Sequence, residues 1–246
     1  MLHGAQSISV VTLNMARESS PALVASEFRS LPAVRDADVV LLQEVKHEPG
    51  AAECVASQLA ARLGMWIAYA PAASGATDEG LAILSRYPLR DVKVRSLGSY
   101  DLRFHTRARF AIAATVEAPG GPVRVFNTHL DTRLNAADRL AQLAPVLRDS
   151  TGFSGPAVIG GDFNSNSFYW IGRVLPLPAA RSQARDIEDY MKRAGFQTGT
   201  PAAQTTFDYL GMHLDWIWSR FAKVTDSHVY PMKFSDHHAV WARLQF

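Results

Sequence analysis

The stretch VRVFNTHLDTRLNAADRLAQLAPVLRDSTGFSGPAVIGGDFN, residues 123–164, decides the fold class. Its ends are apolar, β-branched runs, Val123–Leu130 and Ala157–Phe163, each the length of a strand and bounded by turn residues. Between them Ala, Leu, Arg and Gln recur at helical spacing over Ala136–Leu147, with Asn135 placed as an N-cap. Strand, helix and strand in succession imply parallel strands, because the helix carries the chain back to the edge it left.

Ile8 to Glu44 repeats this unit around a helix at Ala22–Leu31. Further strands are expected at Trp66–Ala70, Gly80–Tyr87, Val92–Leu97, Phe110–Ala118, Leu214–Ser219, Lys223–Tyr230 and Ala239–Leu244, and further helices at Ala51–Leu63 and Asp186–Ala194. Gly64 and Gly195 fall where a helix C-terminal glycine belongs. The short connections Tyr87-Pro88-Leu89 and Ala118-Pro119-Gly120-Gly121-Pro122 imply antiparallel hairpins, and Gly75–Glu79 and Leu175–Ala184 read as loops. With Ile8–Asn14 and Asp38–Glu44 the strands number eleven, more than one twisted sheet carries comfortably. The expected fold is α/β, two mixed sheets face to face with helices outside.

The 246 residues suit one domain, 1–246, in which about 70–75% of the chain's surface can be buried. The single Cys54 excludes an internal disulfide framework and a cysteine-rich zinc site, so any metal sits on oxygen or imidazole. No run reaches the roughly 18–20 apolar residues of a membrane helix. Met1 to Ser7 lacks a basic stretch followed by an apolar core, so a cytoplasmic location is the default expectation. Lys and Arg total 25 against 23 Asp and Glu, a balance without the basic excess of a sequence-independent nucleic-acid grip.

Strand after strand ends in a carboxylate, carboxamide or imidazole: Asn14, Gln43-Glu44, Asn127-Thr-His129-Leu-Asp131, Asp162-Phe-Asn164 and Asp215, with Ser235-Asp236-His237-His238 just before the last strand. Strand ends form the ligand crevice of α/β sheets. Period-2 geometry places Asp162 with Asn164, and Asn127 with His129 and Asp131, on shared faces. Each motif alone has a bland alternative: a turn for Gly-Asp-Phe-Asn, a solvated loop charge for Glu44, a core histidine for His129. Independent turn chemistry does not produce the same pattern on so many strands. His105, His228 and His238 read as structural, His213 as a residue at the cleft rim, and Trp216, Trp218 and Trp241 as core.

In this order, Leu-Asn14, Leu-Gln-Glu44, Glu79-Gly-Leu-Ala-Ile-Leu-Ser, Asn127-Thr-His129-Leu, Gly-Asp162-Phe-Asn164, Leu-Asp215-Trp and Ser-Asp236-His237 resemble the endonuclease/exonuclease/phosphatase superfamily of DNase I-like metal-dependent phosphohydrolases. The resemblance implies a four-layer α/β sandwich. It implies a Mg²⁺ site, with Mn²⁺ able to substitute, at Glu44 with Asn14 and Asp236. It places His237, oriented by Asp215, and His129, oriented by Glu79, at the scissile phosphate, and Asp162 and Asn164 at the attacking water. Asn127 and Arg107 become candidate substrate contacts. Such a set suits in-line attack on a phosphate ester, which needs an oriented water and neutralisation of developing charge.

The implied function is a metal-dependent phosphodiesterase or phosphatase, acting as a monomer on a small-molecule or lipid head-group ester. A nuclease is the alternative, with Arg17, Lys46, Arg103, Arg107 and Arg109 available to a nucleic acid. A non-catalytic binding module on the same fold is the contrasting class, and loss of Glu44, Asp162 or His237 would have marked it. A serine hydrolase is set aside for want of a Gly-x-Ser-x-Gly turn.

Overall fold

The computed structural model describes residues 6–47, 51–72, 80–103, 108–179 and 182–246. Two large sheets carry the fold. The first has six strands in the order β12 (Lys223–Tyr230), β13 (Ala239–Gln245), β1 (Ser7–Asn14), β2 (Val39–Val45), β4 (Gly80–Ser85) and β3 (Trp66–Ala70). The second has five, in the order β11 (Asp215–Arg220), β8 (Ala157–Asp162), β7 (Gly121–His129), β6 (Phe110–Ala118) and β5 (Leu89–Ser96). Both strand–helix–strand units pair in parallel, β1 with β2 and β7 with β8, while β6 and β7 form the expected antiparallel hairpin.

Side-chain parity builds the layers. Along β1, Ile8 and Val10 face the second sheet, where they meet Val125, Val158 and Ile217 in the central core. Val11 and Leu13 face the opposite way, onto α1 (Pro21–Ser30), α2 (Pro32–Arg35) and α3 (Val55–Leu63). On the second sheet Val123 and Val125 face the centre, and Phe126, Ile159, Trp216 and Trp218 cover α4 (Ala136–Thr151) and α5 (Gln183–Arg193). Helices, sheet, sheet, helices make four layers, as expected for alternating apolar faces. Trp216, Trp218 and Trp241 are core residues.

Four local expectations are corrected. Tyr87-Pro88-Leu89 is no hairpin, because β4 and β5 belong to different sheets and the chain crosses between layers there. Residues 51–54 precede α3, which starts at Val55 with Cys54 as its N-cap position. Asn135 sits at the N-cap of α4, but its amide is spent on the Trp170 backbone in place of the helix. Part of the expected loop at 175–184 is strand and helix: β9 (Phe168–Ile171) and β10 (Leu175–Pro178) form a separate antiparallel hairpin, and α5 begins at Gln183. Gly64 and Gly195 take the left-handed conformation at helix C-termini. The expected Gly75–Glu79 loop lies outside the described residues. Among the described residues, no helix is long and apolar enough to cross a membrane.

Candidate active site

Register assembles the site. His129 on β7 pairs in register with Asp162 on β8, and Asp215 on β11 pairs with the same Asp162, so three neighbouring strands present one polar row. All three side chains share the parity of Val125, Val158 and Ile217 and therefore point into the gap between the sheets. Gly161 makes the row possible. Its φ is +138°, and a Cβ there would lie 1.9 Å from the Thr128 carbonyl oxygen, so only glycine lets β7 and β8 close beside Asp162.

The first sheet supplies the opposite wall. Asn14, at the end of β1, donates through Nδ2 to Asp162 Oδ2 at 3.1 Å, bridging the two sheets. Glu44 is on the wrong parity for the cleft, since Val40 and Leu42 pack on the outer helices. A register shift between Leu42 and Val45, with Glu44 at φ +51°, turns its side chain into the cleft. Such bulges re-aim a side chain at a local conformational cost. Arg17 Nε lies 3.4 Å from Glu44 Oε2.

His237 arrives just before β13. Ser235 Oγ donates to the Asn14 carbonyl at 2.8 Å and accepts from His237 N at 3.1 Å, which fastens the Ser-Asp-His segment to the end of β1. The His237 ring then lies between two carboxylates: Nδ1 is 2.9 Å from Asp215 Oδ2, and Nε2 is 3.9 Å from Asp162 Oδ2. His129 Nε2 approaches the same Asp162 oxygen at 3.4 Å. Thr206 Oγ1 donates to Asp215 Oδ2 at 2.9 Å while accepting from the backbone N–H groups of Leu214 and Asp215. Asn164, at φ +50°, donates its backbone N–H to Asp162 Oδ1 and its amide to the Leu130 carbonyl.

Electrostatics separate the ionisable groups. Burial pushes the Asp162 carboxyl up to about 7, against the pull of the His237 charge. Burial opposes the His237 imidazolium, yet Asp215, with Asp162 and Asp236, outweighs it and carries the ring up to about 10. The balance favours a charged His237 at neutral pH beside an Asp162 carboxyl raised toward neutrality.

The cleft encloses about 450 Å³ and contains Asn14, Glu44, His129, Asp162, Asn164, Asp236 and His237 among its lining residues. Asp215 stands behind His237. Asn127 is not brought to the cleft: it is fully buried, donating to the Leu42 and Ala82 carbonyls and accepting from Gln43, as a clasp between the sheets. Asp131 leaves the shared face because β7 ends at His129. It turns toward α4, where Arg109 Nε at 2.8 Å and Gln142 hold it, and this also takes Arg109 away from substrate. His213 turns from the rim, with its Nδ1 on the Gln204 carbonyl and its ring against Trp216; burial lowers it to about 4. His238 meets Asp208 at 2.9 Å. Glu79 and Arg107 lie outside the described residues.

Residues with no place in the sequence expectations also line the cleft, among them Asn166, Phe168, Trp170, Phe207 and Met212. The aromatic run Phe168-Tyr169-Trp170, which follows Gly-Asp-Phe-Asn after three intervening residues, was the available signal. Thr206 carried none, since only the folded chain brings it beneath Asp215.

Two donor sets bear on a metal. Asp162, Asp215 and His237 place ligand atoms within 4.8 Å of one another, but their hydrogen bonds and charges are directed at each other. Glu44 offers a cleft-facing carboxylate, Asn14 an amide oxygen with a lone pair beyond its bond to Ala16 N, and Asp236 an exposed carboxylate. An all-oxygen set with room for water suits a hard divalent cation.

This architecture is the four-layer sandwich of the DNase I-like class. Residues 11–237 match the model of the Endonuclease/Exonuclease/phosphatase family, and the chain belongs to that family, whose members are hydrolases acting on phosphoester bonds. Similar solved structures include an endonuclease/exonuclease/phosphatase from Beutenbergia cavernae, 21% identical at TM-score 0.75 over 98% of this chain and 72% of that one. A second, from Bacteroides vulgatus, is 20% identical at TM-score 0.70, covering 97% and 98%. The human Nocturnin catalytic domain, with a bound sulfate anion, is 18% identical at TM-score 0.66, covering 98% and 97%. No curated protein matches the chain by sequence.

Proposed function

We propose that this chain hydrolyses phosphate esters by in-line attack of water in the cleft, with Mg²⁺ as cofactor and Mn²⁺ able to substitute. The observation that carries the proposal is the row His129–Asp162–Asp215, with His237 set between its two carboxylates and Glu44 turned into the same cleft by a bulge. Asp162, fixed by Asn14 and the Asn164 N–H, orients the water and takes its proton. His237, held charged by Asp215, presents Nε2 to a phosphoryl oxygen and stabilises the charge that develops there. His129 supports the phosphate from the β7 side, and Asn164 shapes the water site. When bound at Glu44, Asn14 and Asp236, the metal supplies further charge neutralisation at the phosphoryl oxygens. Glu79, as the orienter of His129, and Arg107, as a phosphate contact, complete the proposal from the resemblance alone.

A small or lipid-derived ester is favoured over duplex DNA. Among the described residues, Arg17 is the only Lys or Arg lining the cleft, whereas a DNA grip draws on many phosphate contacts. The test is a screen with Mg²⁺ or Mn²⁺ of bis-p-nitrophenyl phosphate, nucleotides, inositol phosphates, sphingomyelin, RNA, abasic oligonucleotide and plasmid DNA. Metal-dependent turnover of a small ester, lost in His237→Ala, is expected. Plasmid nicking lost in the same variant would move the reading to nuclease, and no hydrolysis of any substrate would move it to a binding module.

A further inference from the structure

Trp170 is held in the cleft wall more firmly than a packing residue requires. Its indole Nε1 donates to Asn166 Oδ1 at 3.2 Å; its backbone N–H donates to Asn135 Oδ1 at 2.8 Å, and its carbonyl accepts from Asn135 Nδ2 at 3.2 Å. Asn166 is itself buried and anchored on the Thr132 carbonyl at 2.7 Å. Asn135 stands at the N-cap of α4, yet its side chain makes no cap bond and holds the Trp170 backbone instead. The ring also carries Phe168 edge-on at 6.1 Å and the Arg133 guanidinium at 5.8 Å from its centroid, and Arg133 is outside the cleft lining.

These bonds satisfy the indole's one polar atom within the protein and leave a half-buried indole ring lining the same 450 Å³ cleft as His129, Asp162 and His237. Fixing the ring's orientation serves stacking, which depends on the plane of the ring; an acyl chain gains little from it. The indole's own donor is spent on Asn166, so the ring selects a flat partner without itself reading that partner's edge.

We infer that Trp170 is the binding platform for a planar aromatic group joined to the scissile phosphate, as in a nucleotide or an aryl phosphate. The inference refines the phosphoesterase reading by naming the organic half of its substrate, and its test does not depend on turnover. AMP, ribose 5-phosphate and octyl phosphate are titrated into the metal-free protein by tryptophan fluorescence and calorimetry, and repeated with Trp170→Phe and Trp170→Leu, folding being checked by thermal unfolding. AMP should bind more tightly than ribose 5-phosphate by about 5- to 150-fold, the range of one stacked base. Trp170→Leu should erase that preference and Trp170→Phe retain part of it. Equal binding of AMP and ribose 5-phosphate overturns the inference, as does a preference that survives in Trp170→Leu. Octyl phosphate binding as tightly as AMP, with the same dependence on Trp170, overturns it in favour of a general apolar or lipid subsite. AMP binding on Trp170 in a protein that hydrolyses no ester would sustain the inference while removing the phosphoesterase reading.

Discussion

His237 donates its Nδ1 hydrogen to Asp215 Oδ2 across 2.9 Å, and that bond sets both the direction of the ring and its charge. A histidine raised from its ordinary value to about 10 binds a proton more tightly folded than unfolded. The stabilisation is complete below about pH 6.5 and is lost as pH rises toward 10. Denaturant unfolding at pH 6.5, 8 and 9.5 should show stability falling by up to about 1.4 kcal/mol per pH unit, and Asp215→Asn should flatten that slope. An equally steep slope in Asp215→Asn would show that the bond does not hold the charge.

Asp162→Asn and His237→Ala should each reduce kcat on bis-p-nitrophenyl phosphate by roughly 10² or more while thermal unfolding shows an intact fold. A loss confined to KM would make either residue a binding group and not a participant in proton transfer.

Gly161→Ala places a methyl group 1.9 Å from the Thr128 carbonyl on a backbone at φ +138°. Since β7 and β8 cannot close around it, unfolding free energy should drop by about 3 kcal/mol or more, with activity falling as the His129–Asp162 row is displaced. Gly64→Ala, at a left-handed helix end with nothing within 4 Å of the added carbon, is the milder comparison.

Arg139, fully buried on α4, donates to the Asp131 and Thr132 carbonyls and to Gln183 Oε1, and Gln183 in turn donates to the Phe168 carbonyl. It ties the loop after His129 to the cleft hairpin. Arg139→Met leaves those acceptors unsatisfied and should cost about 3 kcal/mol or more; Arg139→Lys should cost less. Equilibrium denaturation measures both.

Much of this was legible before folding, for reasons particular residues make plain. Val123–Leu130 and Ala157–Phe163 announced a parallel pair because the intervening helix leaves one economical return path, and the parity that shares a face between Asn127 and His129 holds. Parity stops where strands stop: Asp131, two residues past the end of β7, faces α4. It also does not tell a cleft from a buried gap, so Asn127 becomes a clasp between sheets. Glu44 reaches the cleft through a left-handed bulge that no periodicity foretells, and Tyr87-Pro88-Leu89 reads the same whether the chain turns back or changes sheet. The hairpin at Phe168–Pro178 was hidden by Pro176 and Pro178, residues that argue against a strand but are tolerated in an isolated two-stranded ribbon.

Glu44 is the carboxylate on which the metal-dependent account rests. The most direct measurement is the initial rate of hydrolysis of bis-p-nitrophenyl phosphate against Mg²⁺ concentration, for the unmodified protein and for Glu44→Gln. The account predicts saturable dependence on Mg²⁺ and a half-saturating concentration raised about tenfold or more in Glu44→Gln, with the fold unchanged. Identical Mg²⁺ dependence in the two proteins would contradict it.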